Sequence, residues 1–179
     1  MADASALEAA WVANAGAGCT SASVLAALGA MGAAGLPGLG AATLALGARE
    51  AYGAPRLLDY VGLPGRRAPL DLRIEELAGA HGLRVFSTSG LVLPGARLAP
   101  RPSQTLVVNL AWGEERPGHY GTWGWHPLRP KTYSTGGHSV VLAAAPERGG
   151  WLVLDPNHEG LRRWPRPGLA VTVTRIRPA

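Results

Sequence analysis

A chain of 179 residues, 47% hydrophobic and only 16% charged, is long enough to bury one continuous core and too apolar to remain disordered. Its 25 glycines and 15 prolines fall short of the share, roughly a quarter or more, that marks low-complexity chains. The expectation is one loop-rich domain over residues 1–179. The net charge of +5 comes from scattered arginines, with doublets at Arg66–Arg67 and Arg162–Arg163 and a single lysine, Lys131. Nucleic-acid binding calls for basic residues massed on one face, so these arginines read as solvated surface.

One cysteine, Cys19, excludes an intrachain disulfide, and nothing demands an oxidising compartment. The opening "MADASALEAAWVANAGAG" carries acidic residues and no basic segment, unlike a signal peptide. The low-charge stretch 9–48 is too broken by glycine, proline and polar residues to span a membrane. A cytoplasmic chain without a membrane span is expected. The excess of Ala, Gly, Pro and Arg suggests a GC-rich genome.

In chain order, "DASALEAAWV" (3–12) predicts a short helix capped by Asp3 or Ser5. "NAGAGC" predicts a turn. "TSASVLAALGAMG" then has Val24, Leu25, Leu28 and Met31 at helical spacing and small residues elsewhere, which predicts a buried helix beginning at or just after Cys19. Gly32 or Gly35 would end it. A second helical zone is expected over 41–62, interrupted at Pro55. "DLRIEELAGAHG" is amphipathic, with Leu72, Ile74, Leu77 and Ala78 expected to face inward and Gly82 to stop it.

From residue 83 onward the pattern turns to strands: "LRVFST", "QTLVVNLAWG" (104–113), "HSVVLAAA" (138–145), "GWLVLD" (150–155) and "LAVTVTRI" (169–176). "PERGG" joins two of them at hairpin length. A long aromatic stretch, "EERPGHYGTWGWHPLRPKTYSTGG", separates 104–113 from 138–145, and loops of that length are often functional. Helices over 1–82 followed by an antiparallel sheet over 83–179 make an α+β layout.

Three side chains carry the candidate chemistry. A cysteine at a helix start has its thiolate favoured by unpaired N–H groups and the helix dipole. It becomes a working nucleophile with an imidazole beside it and a third group orienting that ring. His138 opens one apolar run and Asp155 closes the next. If those runs form a hairpin, the two side chains meet at one sheet edge. Each residue also has a bland use: a buried inert cysteine, a satisfied histidine, and an Asp-Pro turn.

"AGAGCTSASVLAALGAMG", "GGHSVVLAAA" and "WLVLDPN" together resemble the papain-like cysteine peptidases of the bacteriocin-processing, double-glycine leader peptidase type and their stand-alone relatives. The resemblance covers most of the chain in layout and is specific at these three short motifs. It implies a papain-like fold, with Cys19 as nucleophile, His138 as general base then acid, and Asp155 holding the imidazole tautomer. No cofactor or metal is implied, and the partner would be a peptide or protein substrate. Family members carry Gly or Gly-Pro after the cysteine, where this chain has Thr20-Ser21. They also carry a glutamine a few residues ahead of it as an oxyanion donor, where this chain has Ala13 and Asn14. Asn14 is the candidate to replace that amide. Thr20, Ser21, Gly137, Trp125 and His126 are the expected substrate contacts.

Two other outcomes stay open on the same residues. A papain-like deamidase or acyltransferase would share the thioester intermediate, and Trp112, Trp123 and Trp125 would then shape the acceptor side. A catalytically inactive module would bind peptide without cutting it. A metal site built from Cys19, His119, His126, His138 and His158 matches no zinc spacing.

Overall fold

The computed structural model describes residues 3–16, 18–47, 59–60, 66–88, 98–111, 138–144, 151–164 and 169–179. It is an α+β arrangement: helices α1 (Ala4–Ala9), α2 (Cys19–Ala30), α3 (Leu39–Ala45) and α4 (Pro69–Gly79) precede strands β1 (Leu83–Thr88), β2 (Thr105–Ala111), β3 (His138–Ala144), β4 (Trp151–Leu154), β5 (Leu161–Trp164) and β6 (Leu169–Pro178). The six strands form one antiparallel sheet in the order β1-β6-β2-β3-β4-β5. Among the described residues no helix is long and apolar enough to cross a membrane.

Local chemistry explains most boundaries. Asp3 caps α1, its carboxylate accepting from the Ser5 N–H at 3.4 Å and the Ser5 hydroxyl at 2.6 Å. The end of α2 is a Schellman motif: the Ala33 N–H donates to the Leu28 carbonyl at 3.1 Å and the Gly32 N–H to Gly29 at 2.9 Å. The motif needs a left-handed residue after the cap, and Gly32 supplies it with φ of +87°. Any other residue there would cost about 1 kcal/mol.

Helix α2 is buried continuously from Cys19 to Leu28, as expected of a helix apolar or small on every side. Val24, Ala27 and Leu28 pack into one core with Val107, Val141 and Leu154. The opposite sheet face carries a second core of Leu106, Val108, Val140 and Leu142 among others. Strand β3 is therefore covered on both sides, and its apolar run reads unbroken rather than alternating.

Two expectations need correcting. In α4 the inward residues are Leu70, Asp71, Ile74 and Ala78, whereas Leu72 is 45% exposed. The helix starts earlier, at Pro69, and Asp71 is drawn inside by the Thr174 hydroxyl, which donates to it at 2.7 Å. Strand β5 was not expected from "LRRW". It is a four-residue strand at the end of the sheet order, where arginines suit an unpaired edge. The helical zone expected over 41–62 yields α3, from Leu39. Pro55 and the PERGG link lie outside the described residues.

Candidate active site

The segment before α2 fixes where the thiol sits. Gly16 turns the chain with φ of +64°, and the Gly18 N–H donates to the Ala15 carbonyl at 3.3 Å. A Cβ on Gly18 would stand 3.3 Å from that carbonyl oxygen and 3.4 Å from Asn14 Oδ1, so a side chain here would crowd the turn. Gly18 is also the N-cap and lends no side chain to the first turn. The positive end of a twelve-residue helix therefore meets Cys19 without a capping side chain. Cys19 itself is 9% exposed.

The hairpin of β3 and β4 supplies the partners. Val141 pairs with Leu154, so Asp155 falls opposite Val140, diagonal to His138 and on the same face. His138 Nε2 lies 2.9 Å from Asp155 Oδ1, with the two residues 3% and 0% exposed. The same Oδ1 accepts the Asn157 N–H at 2.9 Å, which is the turn that "DPN" signals. Turn chemistry and imidazole orientation thus share one oxygen. The Asp155 Oδ2 atom is buried and has no hydrogen-bond partner among the described residues.

The N-terminal segment clamps this turn from behind. Trp11 Nε1 donates to the Asp155 carbonyl at 2.9 Å, and the Asn14 N–H to the Pro156 carbonyl at 2.7 Å. Asn14 Nδ2 donates to Gly16 O at 3.0 Å and to Asn157 Oδ1 at 2.7 Å.

Cys19 is hydrogen-bonded to His138, with the Ser139 backbone N–H also directed at it and the Thr20 hydroxyl within reach. Since Nε2 of the ring is spent on Asp155, Nδ1 is the nitrogen left for the sulfur. Burial is the largest single influence on the thiol and pushes its pKa up, but His138, Ser139 and Thr20 together outweigh it and hold it below the ordinary thiol value. Burial likewise favours the neutral imidazole, yet the hydrogen bonds and charges of Asp155 and Cys19 push His138 up to about 9. Opposite shifts on touching groups favour a thiolate–imidazolium pair.

Comparison of the chain with protein-family models, curated proteins and solved structures finds no match.

The structure brings Cys19, His138 and Asp155 together. Three other expected positions play different parts. Both N–H groups of the Asn14 amide are committed to Gly16 and Asn157, and the Gly16 carbonyl can only accept, so the nitrogen belongs on that side. This leaves Asn14 with no amide hydrogen for an oxyanion and makes it a clamp on the turn. Thr20 and Ser21 were expected to touch substrate but are 1% and 0% exposed: Thr20 bonds inward to Tyr60 and Ser139, and Ser21 Oγ is buried. Gly137, Trp125 and His126 lie outside the described residues, as do Trp112, Trp123 and His119. Among the described residues no group of three or more His, Cys, Asp or Glu is placed to hold a metal.

Sequence reasoning missed Trp11, Tyr60, Ser139 and Asn157. For Ser139 a signal existed, because strand alternation after His138 turns it to the opposite face, toward α2. Asn157 was also within reach, as the residue an Asp-Pro turn binds. Trp11 and Tyr60 arrive from distant segments and leave no local pattern.

Proposed function

We propose that the chain is a papain-like cysteine peptidase in which Cys19, His138 and Asp155 form the catalytic triad. The observation that carries this reading is the buried hydrogen-bonded series from Cys19 through His138 to Asp155, set at the start of α2. Cys19 Sγ attacks the scissile carbonyl as thiolate. The carbonyl oxygen turns toward the first N–H groups of α2, which the N-cap leaves without a side-chain partner. His138, protonated at Nδ1, gives that proton to the departing amine. It then draws a proton from water, and the resulting hydroxide equivalent clears the thioester and releases Cys19.

A mixed peptide library incubated with the protein and read by mass spectrometry tests this. Hydrolysis splits a peptide in two. Deamidation leaves it whole with one amide turned to acid, and acyl transfer joins two chains. The expected result is split peptides with the native chain and none with Cys19→Ala. Deamidated or joined products would move the assignment to a deamidase or acyltransferase, and identical mixtures from both proteins would leave a binding module.

Asn14→Ala separates the clamp from an oxyanion donor. Removing two hydrogen bonds at the turn is expected to lower stability by about 1–2 kcal/mol, seen in the urea midpoint, with turnover changed less than about fivefold. A fall in kcat of about a hundredfold at unchanged stability is the mark of a lost oxyanion donor and would reverse the assignment.

A further inference from the structure

Behind Cys19 runs a buried series of polar side chains that the triad does not include. Tyr60 OH lies 2.7 Å from Thr20 Oγ1, and Thr20 Oγ1 lies 2.8 Å from Ser139 Oγ. Ser139 Oγ donates to Asn109 Oδ1 at 2.5 Å, and Asn109 Nδ2 donates to Thr172 Oγ1 at 2.9 Å. A side bond from Ser23 Oγ to the Ser139 carbonyl at 2.9 Å ties the next turn of α2 to the same strand. The series crosses from the segment at 59–60, through α2 and β3, to β2 and β6. Polar groups so deep in a sheet and helix interface are costly unless fully paired, so the fold must hold them for some return.

The proton order follows from chemistry. With the Asn109 nitrogen on Thr172, its oxygen faces Ser139, and Ser139 has spent its one proton there. The Thr20–Ser139 contact then needs the Thr20 proton, and the Tyr60–Thr20 contact needs the phenol proton. Burial keeps that phenol neutral and able to donate. Thr20, the residue after the nucleophile, holds a single hydroxyl proton with two acceptors in reach: Ser139 Oγ and Cys19 Sγ. While the sulfur carries its own hydrogen, Ser139 is the better acceptor. Once the sulfur is anionic, it competes strongly for that proton.

We propose that Thr20 is a positioning residue for the nucleophile: its hydroxyl, oriented by Tyr60 and Ser139, turns toward the sulfur when the thiolate forms and anchors Cys19 against His138. This rests on the triad reading given above. It also explains why the residue after Cys19 is a threonine facing inward rather than a contact for substrate.

Among the described residues, few charged and titratable groups lie around the sulfur. His138 faces it from β3, with Asp155 behind the ring. Tyr60 approaches beside Thr20. Asp59, next to Tyr60, pairs with Arg73 of α4 at 3.2 Å. Helix α2 has no other ionisable side chain, and on α1 Glu8 is turned to the Leu161 N–H at 3.2 Å.

The test uses the full chain, in which Cys19 is the sole thiol, and reads the rate of iodoacetamide alkylation from pH 4 to 10 beside the circular dichroism melt. Thr20→Val keeps the shape and removes the hydroxyl. Its alkylation curve is expected to move to higher pH, with about a tenfold loss of rate on the acid side, one decade per pK unit. Thr20→Ser should restore the rate to within about twofold. Should Thr20→Val fail to fold, Tyr60→Phe decides, with an expected loss of about two- to threefold because the hydroxyl it polarises donates less strongly. Curves that overlay the native one in the folded variants overturn this proposal and leave the triad intact. A native curve that titrates at the free-thiol value, about 8.5, overturns the triad reading itself, so the two failures are told apart by which curve is abnormal.

Discussion

Replacing His138 with alanine is expected to reduce turnover of a library-identified peptide by at least about a thousandfold, the scale seen when one member of an interdependent triad is removed. Two losses combine. The Cys19 thiol sits under a burial effect that favours the neutral form, and His138 is the leading influence that reverses it. Without the imidazole, burial and the remaining donors compete, and the thiol pKa rises. The leaving amine also loses its proton source. On the proposed mechanism the native chain should show a bell-shaped rate profile. On the acid limb the thiolate is protonated below its lowered pKa. On the alkaline limb His138, pushed up to about 9, sheds the proton the amine needs, so activity falls as pH rises through that value. In His138→Ala the alkaline limb near 9 should vanish along with most of the rate. Retained turnover, or an unchanged alkaline limb, would remove His138 from the mechanism.

The site was legible in sequence where its geometry is local to one hairpin. An apolar run opened by His138 and another closed by Asp155 can only meet at one end of the sheet, and the register of β3 against β4 places them diagonally. The start of α2 at Cys19 was readable too, because the glycine-rich turn gives way at once to unbroken small and apolar residues. Thr20 and Asn14 were not readable. Their assigned faces depended on analogy with residues beside a nucleophile, whereas their actual partners, Ser139, Tyr60 and Asn157, lie far along the chain. Hydrogen bonds between distant segments leave no periodicity.

The same division runs through the fold. Five of the strands announced themselves by β-branched and apolar runs, but Leu161–Trp164 holds two arginines and reads as loop until an edge needs covering. In α4 the phase error has one cause. Asp71 is charged, yet Thr174 on β6 gives it a buried partner, and that shifts the inward face toward Leu70 and leaves Leu72 in solvent. A single tertiary hydrogen bond was enough to mislead the pattern.

Asp155→Asn is the second decisive substitution, because the position leaves an amide no good arrangement. With its oxygen in place of Oδ1, it can still accept from His138 Nε2–H and the Asn157 N–H, but its NH2 then occupies the buried site of Oδ2, which has no partner among the described residues. An orphaned buried donor costs about 1–3 kcal/mol. Turned the other way, its N–H faces Nε2 and forces the ring into the tautomer with hydrogen on Nδ1, unable to accept the proton of a neutral thiol. In both arrangements the charge that helps hold His138 up is gone. Turnover is expected to drop by about ten- to a hundredfold if the first arrangement prevails and further if the second does. The alkaline limb of the rate profile should move below 9, and the melting midpoint should fall without loss of the folded state. A merely structural Asp155 would lower the midpoint alone. The displacement of the alkaline limb is therefore the reading that assigns the carboxylate to the imidazole, and a variant with full kcat and an unmoved limb would leave Asp155 as a turn residue only.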